Sequence, residues 1–341
     1  MLKSIGLSLL QRKRSPYTKG DSVLLSQKVA EVRAKSYLCM MKNVYRDIKQ
    51  ILAEGGIASG EAQAIAMLLM EKVAGMTTAE VLMNDPKGEE HRATLLSCAT
   101  RIAKGEPVQY VVGEADFCGL TFKVTPGVLI PRPETEELVN WVREEAKEME
   151  GSKEGKLALL DIGTGSGCIA ISLAHLLKDT EVEAWDISEE ALLMARENAK
   201  RNHVGVVFKK RNALEGISKA SRRHLEGESG CIFEESQRMF DIIVSNPPYI
   251  CESEKKNMER NVLEHEPGLA LFVPDNDPLL FYRKIAEMGR TSLREGGRLF
   301  FEINRQYGME TLEMLGEMGY QEVELRKDQF GNDRMVRAIK A

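Results

Sequence analysis

The chain has 341 residues, enough for two domains, and its 43% hydrophobic and 29% charged residues are the balance of a folded chain and not of a disordered one. No apolar stretch reaches the roughly 18 residues a membrane-spanning helix needs. The six cysteines (Cys39, Cys98, Cys118, Cys168, Cys231, Cys251) show no Cys-x-x-Cys spacing and no clustering with the five histidines, which argues against a zinc site or a disulfide framework and for reduced thiols in a cytoplasm.

Charge is unevenly spread. Residues 1–42 hold nine Lys/Arg against two acids, a net of +7, so within a total of −5 the other residues carry −12. The apolar part of this leader is too short for a secretory signal, although its acid-poor composition resembles an organellar presequence. It is read as a nonessential basic extension, either a disordered arm or an overextended start, with Met40 and Met41 close by. Residues 43–106 read as a small helical bundle. Val44, Ile48, Ile51 and Leu52 form one stripe ending at Gly55-Gly56, and Ala62, Ile65, Ala66, Leu68, Leu69 and Val73 form a second closed by Gly75. Thr77-x-x-Glu80 is a capping-box signature, and one more helix is expected over 89–103, stopped by Gly105 and Pro107. Such a segment packs or docks a partner; nothing in it is catalytic. Alternation around Gly119 predicts a β-hairpin linker over 107–130.

The rest, 131–341, alternates strands and helices, which predicts an α/β, doubly wound, Rossmann-like domain. Pro131-Arg132-Pro133 enters a helix whose first turn holds Glu134, Glu136 and Glu137, acids that also suit a helix start. The apolar run 157–161 ends in Asp161 and leads into Gly163-Thr164-Gly165-Ser166-Gly167, then a helical pattern: strand, glycine turn, helix, as in a nucleotide-binding unit. Asp186 closes the next apolar run, where a carboxylate can bond both ribose hydroxyls or simply be solvated. The charged segment 216–239 reads as an exposed insertion. A buried strand, Asp241–Val244, then delivers Ser245-Asn246-Pro247-Pro248-Tyr249-Ile250. Asn246 offers an amide donor and a carbonyl acceptor. Pro247 and Pro248 stiffen the turn and have no N–H of their own, so their carbonyls can accept. Tyr249 presents a flat face. A plain Pro-Pro turn explains the prolines but not the flanking Asn and Tyr; a rigid slot for a planar NH2 group explains all four. Further strands are expected at 298–302, 322–326 and 335–339, with a helix near 308–318.

Glycine turn, ribose acid and Asn-Pro-Pro-Tyr in this order resemble amino-methyltransferases that use S-adenosylmethionine. The upstream stretches Gly105–Tyr110, Phe117–Leu120 and Pro126–Glu136, the last containing Pro131-Arg132-Pro133-Glu134-Thr135-Glu136, narrow this: the chain from Asn43 onward resembles the release-factor glutamine methyltransferase family. The resemblance implies methylation of the amide nitrogen (N5) of the glutamine in the Gly-Gly-Gln motif of peptide chain release factors, with S-adenosylhomocysteine as product and no metal. It implies that the N-terminal bundle helps dock the release factor. It also places Gly163 to Gly167 on the cofactor, Asp161 beneath the loop near the methionine amino group, Asp186 on the ribose, and Asn212 and Ala213 beside the adenine. By the same resemblance Asn246 would border the cofactor and, with Pro247, Pro248 and Tyr249, hold the substrate glutamine, with Asn246 and Pro247 as the catalytic pair. Asn212 stands where the family has an acid, and Asn304 where relatives usually have Gly. The chain is expected to act in the cytoplasm as a monomer, with a protein partner and no direct nucleic-acid contact. One rival is a nucleic-acid amino-methyltransferase acting on adenine N6 or guanine N2, since an exocyclic NH2 fits the same slot; the acidic body argues against it. A noncatalytic cofactor-binding module is a third reading, which the intact slot disfavours.

Overall fold

The computed structural model describes residues 43–83, 85–151, 155–215 and 238–341. The extension read over 1–42 and nearly all of the insertion read over 216–239 lie outside the described residues. The chain divides into two compact units between Ala103 and Lys104.

In the first unit, α1 (Val44–Glu54) starts at Asn43, whose side chain accepts from Arg46 N at 2.9 Å, and it buries Val44, Ile48 and Leu52. Helix α2 (Ser59–Lys72) buries Ala62, Ile65, Ala66, Leu69 and Met70. The capping box opens α3 (Thr78–Leu82): Thr77 N donates to the Glu80 carboxylate at 2.6 Å, and Glu80 N donates to Thr77 Oγ1 at 3.3 Å. The single helix expected over 89–103 is instead two, α4 (Lys87–Glu90) and α5 (Arg92–Ala103), parted at His91. Local periodicity is overruled by distant contacts. The Glu89 carboxylate turns back to accept from Val44 N at 3.2 Å and from Arg92 at 3.1 Å, and Gly88 lies so close to Met70 that a Cβ would stand 2.8 Å from its Cε.

The second unit corrects the linker. The hairpin is there, β1 (Glu114–Phe117) pairing with β2 (Leu120–Lys123), but α6 (Val108–Val112) precedes it where 107–112 was read as part of an extended linker. Pro107 fixes the helix start, and Gly113, at φ +82°, ends it in the left-handed conformation. Buried Tyr110 donates to Val128 O at 2.7 Å, so the linker is a packed layer. The next elements are α7 (Pro133–Glu150), β3 (Leu157–Ile162), α8 (Cys168–Leu176), β4 (Thr180–Asp186), α9 (Glu189–Arg201), β5 (Val207–Lys210) and β6 (Phe240–Ser245). They are followed by β7 (Ile250–Cys251), α10 (Arg260–His265), β8 (Phe272–Val273), α11 (Leu280–Ser292), β9 (Leu293–Glu302), α12 (Gly308–Glu317), β10 (Tyr320–Lys327) and β11 (Asp333–Lys340).

Seven of these strands form one sheet in the order β10-β11-β9-β6-β3-β4-β5, parallel except at the β9–β11 and β11–β10 pairs. Period-two alternation splits each central strand between two cores. Leu157 and Leu159 of β3 join Leu138, Val142, Ile169 and Leu173 on one face; Ala158, Leu160 and Ile162 join Phe240, Tyr282, Ile285 and Phe301 on the other. Burial of each such Leu, Ile or Phe contributes roughly 1.5–3 kcal/mol.

The topology decides where a site can form. The chain leaves β3 towards β4 and β5 on one side, then returns to β6 on the other, so the crevice beyond the carboxyl ends of β3 and β6 is the switch point. The last residues of these strands are in register, Ile162 with Ser245, and Ser245 Oγ donates to Ile162 O at 2.6 Å. The glycine turn and the Asn-Pro-Pro-Tyr turn therefore leave the sheet side by side.

Candidate active site

The glycine turn is shaped by conformation and support from below. Gly163, Gly165 and Gly167 all have positive φ. A Cβ on Gly165 would meet no atom within 4 Å, whereas one on Gly167 would stand 2.7 Å from Ile171 Cδ1 and 3.1 Å from Ala195 Cβ. The first is glycine for its dihedral, the second also for close packing. Beneath the turn, buried Asp161 accepts from Thr164 Oγ1 at 2.7 Å and from Ala170 N at 3.3 Å, both through Oδ2. Its other oxygen, Oδ1, has no partner, and burial pushes the carboxyl up to about 7, against the two donors that pull it down. Ser166 Oγ is a second buried polar atom without a partner here. Asn198, wholly buried on α9, was not singled out in the sequence; its Nδ2 donates to Ser166 O at 2.9 Å and to Lys123 O at 3.0 Å, pinning the turn to the hairpin. Its signal was available: an Asn on the apolar stripe of a helix, a polar group that has to find partners inside.

Asp186 stands at the rim. Its Oδ2 accepts from Gly165 N at 2.9 Å and its Oδ1 from Ser188 N at 2.8 Å. Burial raises this carboxyl while the backbone donors lower it. Two oxygens side by side at a strand end suit a vicinal diol. Asn212 is less committed to a ligand than the sequence implied: Oδ1 accepts from Leu214 N at 3.0 Å and Nδ2 donates to Glu215 at 3.0 Å, so its amide first holds its own turn. Neighbouring Ala213 packs on the core that contains Trp185.

The Asn-Pro-Pro-Tyr turn borders a cavity of about 210 Å³, lined in part by Asn246, Tyr249, Arg132, Leu129, Ile250 and Met258. Pro247 is buried, while Asn246, Pro248 and Tyr249 are half-buried. Asn246 Nδ2 donates to Thr135 Oγ1 at 3.3 Å, the Thr135 hydroxyl donates to Glu302 Oε2 at 2.6 Å, and Tyr249 OH donates to Glu302 Oε1 at 3.1 Å. A closed circuit thus joins both ends of the tetrapeptide to the first turn of α7 and the last residue of β9. Burial raises the Glu302 carboxyl, opposed by the Thr135 hydroxyl, Arg334 and Tyr249. The Tyr249 hydroxyl is raised too, chiefly by burial and then by Glu302, so it keeps its proton. Asn304 secures the backbone: its Nδ2 donates to Tyr249 O at 3.0 Å and to Glu254 at 2.9 Å. Arg132 is held by Glu266, a carboxylate that also accepts from Ile130 N at 3.4 Å. Thr135 and Glu302 appeared in the sequence only within longer segments, and Glu266 was missed; each lies more than 100 residues from its partner, beyond any local pattern. Among the described residues no group of three His, Cys, Asp or Glu side chains gathers as metal ligands, and no helix is long and apolar enough to cross a membrane.

The chain is similar to known proteins along most of its length. Residues 43–113 match the family model described as the PrmC N-terminal domain, and residues 144–246 match that of ribosomal protein L11 methyltransferase. The release factor glutamine methyltransferase of Bacteroides thetaiotaomicron is 45% identical over 82% of this chain and 92% of its own length. That of Flavobacterium psychrophilum is 47% identical over 70% of this chain and 76% of its own. Among solved structures, the ribosomal protein L11 methylase of Lactobacillus delbrueckii subsp. bulgaricus is similar at 19% identity, with a TM-score of 0.40, over 64% of this chain and 83% of that one. With this identity sustained over nearly all of the first relative's length, the chain belongs to the release factor glutamine methyltransferase family.

Proposed function

We propose that this protein transfers a methyl group from S-adenosylmethionine to the side-chain amide nitrogen of the glutamine in the Gly-Gly-Gln motif of peptide chain release factors. The observation that carries the reading is the register of Ile162 with Ser245, which sets Asn246 and its cavity beside the glycine turn. The printed name of the relatives supports a protein glutamine as the acceptor, as against the exocyclic amine of a base.

The residues present fit the donor. Gly163 and Gly165 leave backbone open to a ligand without a Cβ in the way, Asp186 offers its two oxygens to ribose hydroxyls, and Asp161 lies under the turn as the negative partner of the methionine ammonium, acting through it. Asn212 and Ala213 would border the adenine. When bound, S-adenosylmethionine supplies an electrophilic methyl group. Everything else is the work of the chain. An amide nitrogen is a weak nucleophile because its lone pair is delocalised into the carbonyl. Asn246 Oδ1 and the Pro247 carbonyl accept the two amide hydrogens, orienting the nitrogen and stabilising the positive charge that grows on it before a proton leaves. Pro247 and Pro248 keep these acceptors stiff, and Tyr249 packs along the planar amide. Alignment of this kind can lower a barrier by about 7 kcal/mol. No metal is needed in this scheme, S-adenosylhomocysteine is the product, and the protein works in the cytoplasm with the release factor as its partner.

Labelled methyl transfer from S-adenosylmethionine, with release factor, DNA and RNA offered in parallel, tests the reading. Label should enter the release factor alone; label in nucleic acid with none in the protein would overturn it.

A further inference from the structure

We infer that Thr135 and Glu302 are positioning residues that fix which way the Asn246 amide points, and hence that Asn246 shows the substrate an acceptor. The inference rests on the function proposed above and adds the device that orients its key residue.

An ionised carboxylate can only accept. Glu302 receives two hydroxyl donors, Thr135 on Oε2 at 2.6 Å and Tyr249 on Oε1 at 3.1 Å; burial, and then Glu134, raise its carboxyl, and the Thr135 hydroxyl, Arg334 and the Tyr249 hydroxyl favour its charged form against them. Thr135 has one hydroxyl proton, and it is spent on Glu302. Towards Asn246 the Thr135 oxygen can therefore only accept, so the side of the Asn246 amide that faces it must be the NH2. Oδ1 is left on the opposite side. With the relay reversed, a free Thr135 proton would attract Oδ1, and the slot would present NH2 to the substrate's own NH2, donor against donor. Asn246 by itself has no preference between the two orientations; the choice is made by a buried carboxylate at the end of β9 through a hydroxyl in the first turn of α7. Thr135 is only 2% exposed and Glu302 1%, so water does not compete for either role.

The test compares Thr135→Val, which keeps the shape and removes the hydroxyl, with Thr135→Ser, which keeps the hydroxyl. Initial rates of labelled methyl transfer to purified release factor give kcat and KM. Nitrogen-15 NMR follows the Asn246 side-chain amide, assigned by its loss in Asn246→Asp. Thr135→Val should lower kcat about 10-fold, the scale of one hydrogen bond, with KM for S-adenosylmethionine unchanged, and it should shift the Asn246 amide resonances. Thr135→Ser should restore both. A purely structural Thr135 would show wild-type kcat and unmoved amide resonances in Thr135→Val, which contradicts the inference. If Thr135→Val does not fold, the wild type decides: one Asn246 amide proton should be protected from solvent exchange, and rapid exchange of both contradicts the relay. A wild type that does not methylate release factor while its amide proton is protected would instead refute the proposed substrate and leave the relay standing.

Discussion

The two turns that leave β3 and β6 side by side are built by opposite means. The glycine turn is made of backbone: positive-φ glycines, main-chain donors and carboxylates that first satisfy those donors. Nearly all its support comes from within about 40 residues of chain, from Asp161 to Asn198. The Asn-Pro-Pro-Tyr turn is made of side chains, and its support comes from Thr135 on one flank and Glu302 and Asn304 on the other. A site that must bind a constant ligand can be written locally. One that must orient an amide to within a hydrogen bond draws on rigid elements from across the domain.

Variants can break this contrast, the largest effects coming from the side-chain turn. Asn246→Ala should reduce kcat roughly 10²–10³-fold, as for loss of a preorganised polar contact, while S-adenosylmethionine binding measured by calorimetry stays at the wild-type level. Gly167→Ala should act on the other turn through folding. A Cβ at φ +85° and 2.7 Å from Ile171 costs on the order of 3 kcal/mol, visible as a lower Tm together with weakened cofactor binding. Asp186→Ala should weaken S-adenosylmethionine about 10- to 100-fold, the range for lost bonds to a charged group, with kcat at saturation nearly preserved. Equal losses of kcat in Asp186→Ala and Asn246→Ala would erase the division of labour.

The smallest effect is a pH dependence. Asp161 is raised to about 7 by burial. With the ionised form attracting the methionine ammonium, as proposed, affinity should improve as pH rises from 6 to 8, by up to about tenfold, and reach a plateau above that. Calorimetric titrations across this range should show the slope in the wild type and a flat profile in Asp161→Asn. Affinity that falls with rising pH would contradict the assignment.

The same contrast explains how far the sequence could be read. The glycine turn, Asp186 and the Asn-Pro-Pro-Tyr tetrapeptide were legible because each is a short motif at the end of an apolar run. The doubly wound α/β class was implied by alternation, but the register of Ile162 with Ser245 was not, since it depends on a pairing across 83 residues. α6 hid behind a period-two pattern, and the break at His91 behind a period-3.6 one; both are set by caps and tertiary contacts. Thr135 lay among acids that suit a helix start and carried no signal of its own, and its link to Glu302 spans 167 residues. Asn304, expected to stand where relatives usually have Gly, holds Tyr249 O and Glu254. Its side chain is thus part of the turn's support.

If the proposed function holds, this slot delivers a methyl group to a glutamine amide. Purified wild-type protein, release factor and S-adenosylmethionine, followed by peptide mass spectrometry with fragmentation, test it most directly. One added methyl is expected on the side-chain nitrogen of the Gly-Gly-Gln glutamine, and far less of it with Asn246→Ala over the same time. A methyl on any other residue, or an unmodified glutamine beside labelled nucleic acid, would contradict it.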